Sequence, residues 1–274
     1  MNSIPVTGPF NCAVGVGSLL SKSTGGGNVA VGTMALTSNT SGSFNIGIGV
    51  ESLRYNTTGK DNVSVGAQAL FSNTSGFFNT ALGSAALYSN NTGSDNVGLG
   101  YQALRANGSG NRNTASGGYS LWLNTSGFGN VATGFQTLQS NTTGSNNVGT
   151  GTAALRSNST GMNNLAAGFQ SLYSNTIGNY NTGLGFESLF SNINGVSNVG
   201  IGANALRSNT SGTNNTATGF NSLFTNTSGV NNVAAGYQSL YFNTTGSGNT
   251  ALGPMRYKVM PGVATMWEPV AWRW

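Results

Sequence analysis

No histidine occurs in this 274-residue chain, and cysteine occurs once, as Cys12. A single cysteine excludes an intrachain disulfide framework, and without histidine the usual metal and acid–base sites lose their commonest member. Charged residues make up only 5% of the chain, with ten Lys and Arg dispersed against five acids. Dispersed charge of this kind marks a solvated surface rather than a nucleic-acid footprint, so no nucleic-acid partner is expected. No apolar run approaches the length of a membrane span, so no membrane insertion is expected either. The opening MNSIPVTGPF has neither the basic nor the apolar region of a signal peptide.

Catalytic chemistry is equally poorly supplied. The five acids are Glu51, Asp61, Asp95, Glu187 and Glu268. A glycosidase needs two carboxylates facing each other across a cleft. In the repeat described below, Glu51 and Glu187 lie eight units apart, and Asp61 and Asp95 are separated by Phe78. The abundant Ser and Thr have no histidine or evident lysine to activate them. The turns carry Asn and Ser where a calcium-binding repeat needs Asp. The chain is therefore read as a non-enzyme that requires no cofactor or metal.

What the chain does have is 43 glycines, without the every-third-residue spacing of collagen, and a repeat. From Asn11, asparagine recurs every seventeen residues through Asn28, Asn45 and Asn62 to Asn249, with no insertion or deletion. Four places after each anchor stands Gly, and eight places after it Leu, from Leu19 through Leu36, Leu53, Leu70, Leu87 and Leu104 to Leu240. A second asparagine follows eleven places after the anchor, as in Asn39 and Asn56, with Lys22 the one exception. Fourteen places after the anchor Gly returns.

Seventeen residues are too few for a helix-pair repeat. The opening of each unit, such as Asn28-Val-Ala-Val-Gly32, alternates with a period of two, which is a strand. The Asn-Thr-Ser-Gly stretch supplies a turn, with its Gly expected to take positive φ. One unit then forms one coil of an all-β, parallel β-solenoid (β-roll) of about fifteen 17-residue coils. Leucines stack inside as a core ladder, and asparagines stack at the bends as amide ladders. Val29 and Val31, Ile46 and Ile48, and Val63 and Val65 are expected to point into the core. Ala30, Gly47 and Ser64 are expected to point out, as a small-residue face on which chains could pack around a shared axis. The organisation follows as a partial coil over 1–10, the repeat over 11–253 and an aromatic tail over 254–274.

Two columns vary. Nine places after the anchor, Arg54, Arg105, Arg156 and Arg207 recur every third coil, and Lys258 continues the series. Stacked three coils apart, these cations are about 14 Å from one another, beyond a Debye length. Between them stand aromatics, among them Tyr173 and Phe190, with Trp122 and Gln139 in one gap. Five places after the anchor stand Tyr101, Phe135, Phe169, Phe186, Phe220 and Tyr237. Exposed apolar stripes mark interfaces, so Phe135, Phe169, Phe186, Phe220, Tyr237, Tyr173 and Phe190 are the candidate interface. The structural alternative is that these rings fold over the bends of their own coils.

At NVAVG, NIGIG, NVSVG and NVGLG the chain resembles the head repeats of trimeric autotransporter adhesins (YadA-like heads) and similar repeats of phage tail fibres. The resemblance spans residues 11–253 and implies a homotrimeric, extracellular or virion-borne rod with a binding surface for a cell-surface glycan or receptor. The repeat is longer than that family's, and no heptad stalk, anchor or secretion signal is found, so a phage-type or other fibre fits better than an autotransporter.

Pro254 breaks the repeat, and three of the four tryptophans follow it: Trp267, Trp272 and Trp274. They are expected to cap the last coil, to dock on another copy and so build a filament, or to form a ligand-binding tip. About a dozen Asn-X-Ser/Thr triplets occur, read here as turn chemistry rather than glycosylation sites. The expected function is a non-catalytic structural fibre, shaft or adhesive surface. The rivals are a head-to-tail filament subunit and an ice-binding solenoid, the latter raised by the Thr40, Thr57 and Thr74 column.

Overall fold

The computed structural model describes residues 8–21 and 23–255, in two compact units that meet in sequence between Asn147 and Val148. Lys22, Lys258, Trp267, Trp272 and Trp274, with the predicted tail from 256 onward, lie outside the described residues. Both units are parallel β-solenoids, and no helix occurs among the described residues. The first unit carries β1 (Cys12–Val14), β2 (Val29–Val31), β3 (Ile46–Ile48), β4 (Val63–Val65), β5 (Thr80–Leu82), β6 (Val97–Leu99), β7 (Thr114–Ser116) and β8 (Val131–Thr133). The second carries β9 (Val148–Thr150), β10 (Leu165–Ala167), β11 (Thr182–Leu184), β12 (Val199–Ile201), β13 (Thr216–Thr218), β14 (Val233–Ala235) and β15 (Thr250–Leu252). Within each unit every strand pairs in parallel with the equivalent strand seventeen residues on, as Val29 with Ile46 in the first and Leu165 with Thr182 in the second.

The interior is made of columns. Leu36, Leu53, Leu70, Leu87 and Leu104 are wholly buried. Each sits at positive φ, 48–53° for these five, a conformation that costs an L-residue roughly 1–2 kcal/mol. Burying a leucine returns about 1.5–3 kcal/mol. The strained backbone also bonds outward, as when Leu36 N–H donates to the Ser52 carbonyl of the next coil at 3.0 Å. The strain is therefore offset where it arises. The positions six and sixteen places after the anchor are also at positive φ, from Glu51 and Gln68 to Asp61 and Phe78. None of these columns contains Val, Ile or Thr at any copy, the residues for which positive φ is hardest to reach.

The asparagine ladders flank the leucines. Asn45 is fully buried. Its Nδ2 donates to Asn28 Oδ1 at 3.1 Å and to the Gly59 carbonyl at 2.8 Å, while its Oδ1 accepts from Asn62 N–H at 3.2 Å and Asn62 Nδ2 at 3.0 Å. All the hydrogen-bonding capacity of that amide is used, which is the condition for burying it without penalty. Asn39 and Asn56 form the second ladder, with Asn56 Nδ2 donating to Asn39 Oδ1 at 2.9 Å.

Two expectations are corrected. The turn glycines such as Gly59 are not at positive φ. They are glycine because a Cβ there would collide with Asn56 Oδ1 and the Gly76 carbonyl. Positive φ belongs to the glycine that ends each strand. Gly49 has φ 128°, and a Cβ on it would lie 2.6 Å from the Gly66 carbonyl.

The strand faces are also reversed. Ala30 and Ser64 are wholly buried, whereas Val29 and Val31 are half-buried and Ile48 and Val65 are exposed. Volume is the reason. With leucine and two asparagine columns inside a seventeen-residue loop, only an Ala-sized group fits beneath the strand. A Cβ added at Gly47 would already stand 3.4 Å from Leu36 Cγ. Period-two alternation announces a strand but does not say which face is inner. The small residues line the core, and the outward small-residue face is not there.

Candidate interaction surfaces

Three outward surfaces follow from these columns. On the strand face, the residues one and three places after the anchor point to solvent in two parallel columns. From β2 to β6 nine of these ten residues are aliphatic, Thr80 being the exception. Ile48, Val65 and Leu82 are 39%, 36% and 41% exposed. At β7 and β8 the same columns turn polar, with Thr114, Ser116 and Thr133. In the second unit Leu165, Ile201 and Val233 are exposed between threonines and alanines. This surface was missed in the sequence, and side-chain volume was the signal that could have revealed it.

The second surface carries the arginine and aromatic columns. In the first unit Phe71 and Tyr88 stack at 4.8 Å between ring centroids, nearly parallel. Arg54 lies over Phe71 at 5.9 Å, and Arg105 over Tyr88 at 5.2 Å. The second unit repeats the arrangement. Tyr173 and Phe190 stack at 5.2 Å, with Arg156 over Tyr173 and Arg207 over Phe190. Each pair of rings is closed at both ends by a guanidinium, and such cation–π contacts are worth about 0.5–1 kcal/mol at exposed sites. The three-coil period thus builds capped ring stacks as well as separating like charges. Arg54 pairs with Glu51, and Arg207 with Glu187 at 2.6 Å.

The candidate interface rings are placed as follows. Phe135, Phe169, Phe186, Phe220 and Tyr237 are each about half exposed. Phe169 stacks on Phe186 and Phe220 on Tyr237, at 5.5 and 5.6 Å between centroids. Within each pair the two rings of adjoining coils pack on one another, and the pairs are separated by Ala203. The faces turned toward each other within a pair are covered.

One coil departs from the pattern. Gly118 is the only glycine in the column five places after the anchor, and Tyr119 the only aromatic in the column beside it. The Tyr119 ring meets Tyr101, Phe135 and Trp122 edge to face at 5.4, 5.9 and 6.2 Å. Removing one side chain makes room for the neighbouring ring. Trp122 Nε1 is buried there without a hydrogen-bond partner.

The third surface carries the threonine column. The Thr40, Thr57 and Thr74 hydroxyls donate to the backbone carbonyls of Thr57, Thr74 and Asn91 at 3.0, 2.8 and 2.9 Å. Those donors are committed to the next coil rather than to solvent. On the same side Lys60, Asp61, Phe77 and Phe78 line an open cleft of about 360 Å³. Among the described residues no group of three His, Cys, Asp or Glu comes together, and no helix is long and apolar enough to cross a membrane. Comparison with known proteins finds no family model and no curated protein that matches this chain.

Proposed function

We propose that the chain is a non-catalytic structural fibre protein, the shaft or adhesive surface of an extracellular or virion-borne appendage, in which copies associate as a homotrimer through the outward strand face. The observation that carries this reading is the double aliphatic column from Val29 to Leu99 in the first unit. A stripe of half-exposed Val, Ile and Leu, interrupted only at Thr80, is a surface that marks an interface. The in-register strands of β2 to β6 space that stripe regularly, one row per coil, suited to an identical stripe on another copy. The capped ring stacks are then scaffold, and the exposed rings from Phe135 to Tyr237 remain free for a cell-surface glycan or receptor.

Mass photometry and electron microscopy of the purified chain test the assembly. The expected species has three times the chain mass, and Ile48→Lys with Val65→Lys should convert it to a folded monomer with unchanged circular dichroism. A wild-type chain that is monomeric would overturn the trimer. A second reading, ice binding, is favoured by the β-branched residues that dominate the first outward strand column, from Val29 to Thr250. Its signature is thermal hysteresis by the wild type that Val63→Lys with Thr80→Lys, both in that column, abolishes.

A further inference from the structure

Two Asn-Gly dipeptides occur in the chain, Asn107-Gly108 and Asn194-Gly195. Glycine has no Cβ to hinder its own backbone nitrogen from approaching the preceding side-chain carbonyl carbon. The repeat places these two chemically equivalent steps in opposite environments.

Asn107 belongs to the second asparagine ladder and is wholly buried. Its Nδ2 donates to Asn90 Oδ1 at 2.7 Å and to the Gly110 carbonyl at 2.9 Å, and its Oδ1 accepts from Asn124 Nδ2 at 2.8 Å. Attack on its Cγ requires the amide to rotate out of three hydrogen bonds, in a site that water does not reach. Asn194 stands two places beyond the ladder, in an outward column occupied elsewhere by Ser and Thr and once by Ile177, and it is exposed. Its backbone N–H donates to the Thr210 carbonyl at 3.2 Å, and the exposed residue is not part of either ladder.

We propose that Asn194 is a site of spontaneous deamidation and that the ladder protects Asn107 from the same reaction. The Gly195 backbone nitrogen attacks Asn194 Cγ, and a new N–Cγ bond closes a succinimide. The Cγ–Nδ2 bond breaks, and the nitrogen leaves as ammonia with the proton of the Gly195 amide. Water then opens the ring at either carbonyl, giving aspartate or isoaspartate. No electrons are transferred, and water is the only co-reactant.

The location gives the reaction a structural consequence. The Gly195 carbonyl accepts from Asn181 Nδ2 at 2.7 Å and from Asn192 Nδ2 at 3.3 Å, so it joins both ladders of its coil. An isoaspartyl link adds a backbone carbon one residue before that junction and displaces it from register. Deamidation is thus an ageing event confined to one coil of the second unit.

The test is peptide mapping by mass spectrometry after prolonged incubation of the full chain in mildly alkaline buffer, folded and in urea. In urea both sites should convert at comparable rates. In the folded chain Asn194 should convert at least about tenfold faster than Asn107, because reaction at the ladder waits on local opening. Asn194→Gln should leave the folded chain without product at either Asn-Gly step. Equal rates at the two sites in the folded chain, or conversion of Asn194 only in urea, would overturn the proposal.

Discussion

Asn45 and Asn56 meet at one atom: both side-chain amides donate to the carbonyl oxygen of Gly59, at 2.8 and 3.1 Å. The two ladders of a coil are therefore a single network, joined once per turn at a residue that has no side chain. The same junction recurs at Gly76, reached by Asn62 at 2.9 Å and Asn73 at 3.0 Å. A solenoid has no large central core, so its stability is a sum of coil and neighbour terms, and this junction belongs to both.

Substituting that residue should be costly out of proportion to its size. In Gly59→Ala the added methyl meets Asn56 Oδ1, Asn73 Nδ2 and the Gly76 carbonyl. Each buried polar group that loses its partner costs about 1–3 kcal/mol, so we expect a loss above about 3 kcal/mol. Gly108→Ala is the control. It is not at positive φ, and its Cβ would meet only the Thr125 carbonyl at 3.5 Å. That change should be neutral or stabilise by up to about 1 kcal/mol through the unfolded state. Thermal unfolding followed by circular dichroism compares the two, and equal effects would contradict the junction.

A charge introduced into the ladder should make stability depend on pH. Asn62→Asp removes the donors to Asn45 Oδ1 and the Gly76 carbonyl and buries a group that ionises. Burial raises a carboxyl's pKa in the folded state above the ordinary value of about 3.9. The protonated form is then the one the fold tolerates. Stability of the variant should be greatest below about pH 4 and should fall as pH rises from there toward the raised folded value. Asparagine at 62 does not titrate, so subtracting the wild-type profile isolates the effect. A difference that stays flat with pH would show that position 62 reaches water.

The seventeen-residue period, the strand at Val29–Val31 and the buried columns at Leu36 and Asn45 were all legible in the sequence, because a stacked repeat forces like residues onto like. Which strand face was inner was not legible. Alternation is symmetric between faces, and the usual preference for the larger apolar side indoors gave way to the narrowness of the coil around Leu36. The aromatic columns were legible as columns, but not their mutual stacking or the guanidinium caps, since ring orientation leaves no trace in spacing. The exchange of Gly118 and Tyr119 was not read from the sequence, because only the ring contacts of Tyr119 with Tyr101, Phe135 and Trp122 give it a meaning.

The leucine column offers a separation of hydrophobicity from backbone strain. Leu70 is wholly buried at φ 48°. Leu70→Ala should cost about 2–5 kcal/mol, as buried leucines do. Leu70→Met keeps the volume and an unbranched Cβ, and should cost less than about 1.5 kcal/mol. Leu70→Ile also keeps the volume but branches at Cβ, where positive φ is least tolerated. Chemical denaturation of the three variants should rank Met above Ile by a clear margin. If Ile matched Met, the absence of β-branched residues from the positive-φ columns would need another cause.

The final prediction concerns which asparagine a glycosylation machinery could use. In the asparagine ladder the sequons, such as Asn39-Thr40-Ser41 and Asn209-Thr210-Ser211, hold the acceptor Nδ2 in hydrogen bonds, and all but the part-buried Asn243 are fully buried. Asn214-Asn215-Thr216 differs in register. Asn214 sits two residues beyond the turn glycine Gly212 and is exposed, while its neighbour Asn215 is the buried anchor. A chain folded before it meets the transferase can therefore accept a glycan at Asn214 and not in the ladder. Expressed through a eukaryotic secretory route, the protein should carry a glycan at Asn214, removed by Asn214→Gln. Glycans at the ladder sequons would mean that modification precedes coil formation, and those chains should fail to fold, because a substituted amide cannot donate to both its neighbours.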